Sequence, residues 1–396
     1  MLTNCHKFAV KQALLTIVFV SVPGDTGFIS PPKTPMPTPH TLNTRYLSVE
    51  DVAHMIQRMG LPNGLAQMAQ RIEADYRRWP SFDKVARVAA HSPDGVIELM
   101  PIADDVTYSF KYVNGHPKNT HAGLPTVMAF GVLADVDTGL PQWLTELTLT
   151  TALRTAAMSS VAARALARPN SRTMALIGNG AQAEFQALAF HHLNGIEEIR
   201  LFDIDPAASE KLMRNLSHTD LRWVLCADTS EAVRGADIVT TVTADKTNAV
   251  ILSADMIEPG MHINGVGGDC PGKTEIHPDV LRASSVFVQY EPQTRIEGDL
   301  QHMPADFAVT EIWRVLTGQA AGRRHANEIT FFDSVGFALE DFSALCCLRE
   351  WATALDVGQT VSLVPDLDDP KDLYALLRSA PNHSLTPRPL SWAEAA

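Results

Sequence analysis

Apolar residues recur at helical spacing through SVEDVAHMIQRM, and Ser48 with Asp51 or Glu50 forms a cap at its start. Short apolar runs follow that read as strands: KVARVAA (84–90), GVIELMP (95–101), YSFKYVN (108–114) and PTVMAFGVLAD (125–135). Thr138-Gly139 marks a hairpin turn. Adjacent short strands without long helices between them predict a mainly antiparallel sheet. A long helical stretch, LTTALRTAAMSSVAARALA, then runs until Pro169-Asn170 stops it.

Beyond that point the pattern alternates. TMALIG, EEIRLFDID, RWVLCAD and DIVTTVTA read as strands, separated by the helical AQAEFQALAFHHL, PAASEKLMRNL and SEAVRGA. MHINGVGG and SSVFVQY continue the series. Such alternation predicts a parallel sheet covered by helices. The last globular stretch, EITFFDSVGFALEDFSALCCLREWATAL, reads as strand then helix and returns to the first domain. The predicted boundaries are 1–42 for an extension, 43–168 and 169–325 for the two domains, 326–375 for the returning segment and 376–396 for a tail.

Composition narrows the possibilities. A chain of 396 residues has ample material for two domains. Its net charge of −13, with no basic block, argues against nucleic-acid binding. The cysteines (Cys5, Cys226, Cys270, Cys346, Cys347) are odd in number and show no CxxC spacing. That argues against a disulfide framework or structural zinc and suits a reducing compartment. The histidines lack metal-ligand spacing, so no metal is expected.

The glycine-rich GNGAQA (178–183) joins the first strand of the alternating region to its first helix. In this G-x-G-x-x-A pattern Gly178 permits the tight turn, Gly180 lets a pyrophosphate approach, and Ala183 allows close helix–strand packing. The helix N-terminus supplies free N–H groups. Asp203, about 20 residues on at the end of the next strand, suits a ribose 2′-hydroxyl and repels a 2′-phosphate, so NAD is the expected cofactor. Asp205 precedes Pro206 and is assigned to the cap of the next helix. The fold class is therefore α/β: a Rossmann-type doubly wound dinucleotide-binding domain plus a second, α+β domain.

GVGGDCPGK (265–273) ends a predicted strand of that sheet, where ligands of doubly wound folds gather. Gly267 and Gly268 would let the backbone pass a nicotinamide ring, and Asp269 would project toward substrate. Two readings of Asp269 stand side by side: proton chemistry, or an Asx-turn before Pro271. The first domain carries Arg87, Glu98 and Lys111 inside apolar strands, and Arg154 interrupts an apolar helix. Strand alternation puts Lys111 opposite Phe110 and Tyr112, so an inward Lys111 needs an anion. Singly, each is a solvated charge; together they suggest a pocket for a substrate carboxylate, gripped by Arg through paired hydrogen bonds. Cys346 and Cys347 are assigned to core packing.

The runs VIELMP, FKYVNGHP, TVMAFGVLADVDTG, LTLTTALRTAA, MALIGNGAQAEFQALAF, EPGMHINGVGGDCPGKTE, YEPQTRIEGDLQ and FFDSVGFALEDF resemble the ornithine cyclodeaminase/μ-crystallin family, from about residue 45 to about residue 375. The resemblance implies conversion of L-ornithine to L-proline and ammonia, part of ornithine catabolism and proline formation. It also implies tightly held NAD and a homodimer built through the first, substrate-binding domain. On the same footing Asp269 is the acid/base and Glu98 a pocket acid. Arg87, Lys111, Arg154 and Val335 bind substrate. Thr126, Arg154, Gly178, Gly180, Ala181, Gln182, Asp203, Thr243, Val266, Gly267, Gly268, Asp269, Lys273 and Ser334 lie at the cofactor.

Related activities stay open: lysine cyclodeamination, an NAD-dependent alanine dehydrogenase or ketimine reductase, and a non-catalytic μ-crystallin-like binding protein. Asp269 speaks against the ketimine reductases, whose μ-crystallin branch lacks an acid there. Residues 1–42 contain Lys7, Lys11, an apolar run (13–22) too short to span a bilayer, and a proline-rich stretch (31–39). They read as a targeting segment or as an unstructured extension from an upstream start. The second is favoured, with a cytoplasmic protein and no membrane partner.

Overall fold

The computed structural model describes residues 42–244 and 248–379. The predicted extension, apart from Leu42, and the tail beyond Ser379 lie outside them. The first sheet contains β1 (Thr44–Leu47), β2 (Asp83–Lys84), β3 (Val88–Ser92), β4 (Gly95–Ala103), β5 (Thr107–Gly115), β6 (Val127–Asp135), β7 (Pro141–Glu146) and, from the end of the chain, β18 (Gln359–Val361). Its order is β18-β1-β7-β6-β5-β4-β2, with β3 also on β4. All its pairings are antiparallel except β1 with β7. Helices α1 (Val49–Met59), α3 (Thr148–Leu166) and α10 (Ala338–Leu355) pack with this sheet, and α2 (Leu61–Arg77) packs on α3 and α10. Local chemistry sets their starts: Ser48 caps α1 in a reciprocal box with Asp51, at 3.2 and 3.0 Å.

Eight parallel strands form the second sheet: β8 (Thr173–Ile177), β9 (Glu198–Phe202), β10 (Arg222–Leu225), β11 (Ile238–Thr241), β13 (His262–Gly265), β15 (Ser285–Val288), β16 (Thr310–Glu311) and β17 (Thr330–Asp333). Between them run α4 (Ala183–Asn194), α5 (Pro206–Asn215), α6 (Thr229–Val233), α7 (Pro278–Ala283), α8 (Glu291–Glu297) and α9 (Ile312–Leu316). A small parallel pair, β12 (Asn248–Leu252) with β14 (Thr274–Ile276), stands beside the sheet. Asp205 caps α5 by accepting the Ala207 N–H at 3.0 Å.

The order β10-β9-β8-β11-β13-β17-β15-β16 reverses direction between β8 and β11, the point at which doubly wound sheets open a ligand crevice. The segment assigned as a unit to the first domain divides. Its strand β17 slots between β13 and β15, with all four residues buried as a central parallel strand requires. Its helix α10 crosses to the first sheet. The two halves are thereby stitched together at the C-terminal edge of β17.

Candidate active site

The glycine loop has the shape its pattern demands. Gly178 has φ +92°, and a Cβ there would lie 2.9 Å from the Val242 carbonyl carbon. Gly180 faces open space, with nothing within 4 Å of a Cβ position. The first turn of α4 follows; the Ala183 N–H is taken by Gly180 O at 3.2 Å, and no side chain of Gln182 caps the N–H groups behind it. Asp203 lies across the loop, accepting from Asn179 N–H at 2.5 Å and from Asp205 N–H at 2.8 Å. Ala181 lines a shallow groove with Leu61, Phe185 and Leu188. A backbone cradle without Cβ, next to free helix N–H groups, fits a dinucleotide pyrophosphate.

At the end of β13 the chain turns through Val266, Gly267 and Gly268 to Asp269. Buried Val266 is fixed by its N–H to Thr241 O at 2.9 Å. The sequence assigned the glycines to a passing nicotinamide ring, but the structure supplies a nearer reason for them. A Cβ on Gly267 would sit 2.0 Å from Glu275 Oε1, and one on Gly268 would sit 2.7 Å from Asp299 Oδ2. Asp269 emerges beyond them with its side chain 50% exposed. Its Oδ1 faces the Lys273 ammonium at 3.2 Å, and Lys273 also donates to Thr243 O at 3.1 Å. The turn itself is closed by Lys273 N–H to Cys270 O at 3.1 Å, and the Asp269 carboxylate meets the ammonium of the same lysine.

Opposite this loop the charges of the first domain converge on the returning segment. Arg87 is buried, with Nη1 3.0 Å from Glu98, Nε 2.9 Å from Glu297 and Nη2 2.6 Å from Val335 O. Lys111, 1% exposed, meets Asp341 at 2.9 Å. Arg154 shares that Asp341 at 2.9 Å and reaches Glu340 at 2.7 Å. Glu340 also accepts from Tyr76 at 3.0 Å and from Gln289 at 2.8 Å, and Gln289 donates to Ser334 Oγ at 3.1 Å. Thr126 stands apart at the head of β6, where its carbonyl accepts from His116 N–H at 2.9 Å.

Burial governs the titration of this cluster. It pulls the Lys111 ammonium down to about 8, aided by Arg154 and opposed by Asp341. It pushes Glu297 up to about 7 against the pull of Arg87, with Glu98 and Asp269 adding repulsion. Asp269 therefore lies close enough for its charge to act on Glu297, and it acts on Arg87 as well.

Sequence reasoning missed Glu297, Gln289, Glu340 and Asp341. The last two left a signal. They stand in the first turn of an otherwise apolar helix, ALEDFSALCCL, as Arg154 stands in apolar α3. Opposite charges in two buried helices imply that the helices meet, and the helix dipole also favours acids in that first turn.

Relatives share this architecture. Residues 49–355 match the profile described as "Ornithine cyclodeaminase/mu-crystallin family". An ornithine cyclodeaminase of Agrobacterium fabrum is 56% identical over 343 residues, covering 86% of this chain and 97% of the relative. A lysine cyclodeaminase, solved in a study of its recognition of L-lysine, L-ornithine and L-2,4-diaminobutyric acid, superposes with a TM-score of 0.81 at 30% identity. That match covers 84% of this chain and 99% of the other. An archaeal alanine dehydrogenase dimer with bound NAD gives a TM-score of 0.74 at 28% identity, covering 81% of this chain and all of that one. The glycine cradle, the acid at the end of β13 and the buried charges facing it thus lie within a chain that belongs to the ornithine cyclodeaminase/μ-crystallin family.

Proposed function

We propose that this protein converts L-ornithine to L-proline and ammonia with NAD held at the glycine loop. The observation that carries the reading is the charge balance opposite Asp269. Three cations, Arg87, Lys111 and Arg154, face four carboxylates, Glu98, Glu297, Glu340 and Asp341. With Glu297 held near 7, the cluster carries up to one surplus negative charge beside the Asp269–Lys273 pair, which suits a diamino acid carrying net positive charge better than a zwitterion such as alanine. The high identity to ornithine cyclodeaminases supports the same choice.

Arg87 and Lys111 hold the substrate carboxylate. Arg87 does so with little to spare, because Nη1 already donates to Glu98, Nη2 donates to Val335 O and Gly336 O, and Nε lies 2.9 Å from Glu297. The paired grip expected of an arginine is therefore shared with Lys111. The bound nicotinamide supplies reversible storage of an electron pair, so the overall reaction is redox-neutral. Closing the ring requires a neutral δ-amine, whose free pKa is near that of lysine, about 10.4. Asp269 takes that proton and later returns one to the departing ammonia. Holding the chain folded makes ring closure unimolecular, and the occupied site must exclude water, which would hydrolyse the imine.

Ornithine carrying deuterium at Cα tests the reading directly. The label is expected at Cα of proline, with ammonia released and no net NADH. Label lost to solvent, or NADH accumulating as an alanine dehydrogenase would produce it, rejects the proposal. Lysine in a parallel assay measures the discrimination of one methylene, about 1–3 kcal/mol.

We further infer a homodimer through the outer face of the first sheet, in a cytoplasmic setting in keeping with NAD. Val88, Ile97, Leu99, Met128 and Phe130 lie exposed on that face. Tyr112 stacks on Phe130 with ring centroids 5.0 Å apart. A contiguous apolar sheet face of this kind marks a protein interface. Among the described residues no helix is long and apolar enough to cross a membrane. Leu99→Lys with Phe130→Lys is expected to shift the protein from dimer to monomer in sedimentation velocity. An unchanged sedimentation coefficient would remove this face from the interface.

A further inference from the structure

Beneath the Asp269 loop lie three carboxyl groups for which the chemistry above has no use. Asp333 ends β17 and accepts the N–H groups of Asp299 at 3.2 Å and Leu300 at 2.8 Å. Asp299 accepts those of Glu275 and Ile276, both at 2.8 Å. Glu275 accepts the Thr243 N–H at 2.9 Å and the Thr243 hydroxyl. Each acid thus fixes the backbone that carries the next. The series ends on the loop itself, because Thr243 O holds Lys273, which holds Asp269.

Glycines meet the acids at every step. A Cβ on Gly298 would lie 2.5 Å from Asp333 Oδ2, as those on Gly268 and Gly267 would press on Asp299 and Glu275. Nothing the size of a methyl group fits between column and loop. Glu275 Oε2 and Asp299 Oδ2 are buried and meet no donor among the described residues. Simple packing would be served better by amides or apolar groups, since close carboxylates in a dry site repel one another.

We propose that Glu275, Asp299 and Asp333 are positioning residues, a column of buried acids that sets the Val266–Asp269 loop and Thr243 for the dinucleotide and for Asp269. The inference rests on the reading of that loop as the cofactor site. Titration supports it. Burial pushes Glu275 upward, Asp299 up to about 7 and Asp333 well above the ordinary carboxylate range. Glu275 and Asp333 act on Asp299 by repulsion, and the Lys273 cation opposes them. A carboxyl whose folded pKa is raised contributes stability at low pH that is lost as pH rises through that value. Ionisation near neutral therefore loosens the loop from below.

Titrating NAD into the full-length wild type, Asp299→Asn and Asp299→Ala, followed by protein fluorescence at several pH values, tests this. Asparagine keeps an oxygen for the Glu275 and Ile276 N–H groups but cannot ionise. Wild-type Kd should rise about tenfold between about pH 6 and about pH 9, as one pKa unit of linkage gives, and Asp299→Asn should abolish most of that rise. Asp299→Ala should bind NAD at least about tenfold more weakly at every pH, with an unchanged far-UV spectrum, and asparagine should restore affinity at acidic pH. If alanine does not fold, the pH profile of the asparagine variant decides alone. An asparagine variant that retains the wild-type slope, or a folded alanine variant that binds NAD like wild type, overturns the proposal. A wild type that does not bind NAD at all overturns the functional reading together with it.

Discussion

An Asp269→Asn variant is expected to turn over ornithine about 10²- to 10⁴-fold more slowly, the range of a lost general acid–base group. Its NAD affinity should stay close to wild type. The amide is nearly isosteric, and Lys273 keeps its bond to Thr243 O, so the loop retains its anchor. The loss should fall on kcat, because Arg87 and Lys111 still hold the carboxylate while no group removes the δ-ammonium proton. Steady-state assay of proline and ammonia checks this. A variant with more than about a tenth of wild-type kcat would exclude Asp269 as the proton carrier.

Asp341→Ala is expected to have the largest effect on stability, about 3–5 kcal/mol at neutral pH, because a buried ion-pair partner is removed. One carboxylate serves both Lys111 and Arg154 at 2.9 Å, and Arg154 alone retains Glu340. The loss should depend on pH in a known direction. A lysine whose folded pKa lies below its unfolded value stabilises the fold at high pH, and that contribution disappears as pH falls through the folded value. Lys111 already stands near 8, and without Asp341 it moves lower. The deficit should thus shrink as pH rises from the variant's lower value toward about 8 and stay constant above it. Urea denaturation at about pH 7 and about pH 9 measures both features. A deficit below about 1 kcal/mol, the range of exposed pairs, would show that Asp341 does not neutralise the pair.

Much of this arrangement could be read in the sequence wherever the rule is local. The Ser48–Asp51 box, the Asp205 cap and the glycine loop each follow from a few neighbouring residues. Lys111 was legible as an inward cation needing an anion, because alternation along β5 places it on the face opposite two aromatic rings. Its partner was not legible. Asp341 lies 230 residues away, and only packing of α10 on the first sheet brings the two together. The place of β17 was hidden for the same reason, since an apolar run shows that a strand is buried but not which strands flank it. Gly267 and Gly268 taught a different lesson. Their small size was noticed, yet the groups they accommodate, Glu275 and Asp299, come from later turns of the chain.

The position of β17 also bears on how the chain is made. Until residue 333 has been synthesised, β13 and β15 have no neighbour to share, and the sheet carries an open slot with unpaired amide edges on both sides. Such edges are templates for pairing with other chains. The nascent protein thus reaches its most association-prone length late, after nearly all of the nucleotide-binding half has been translated. A fragment of this chain ending where the pattern of alternation stops would be left permanently at that stage, with the slot between β13 and β15 unfilled.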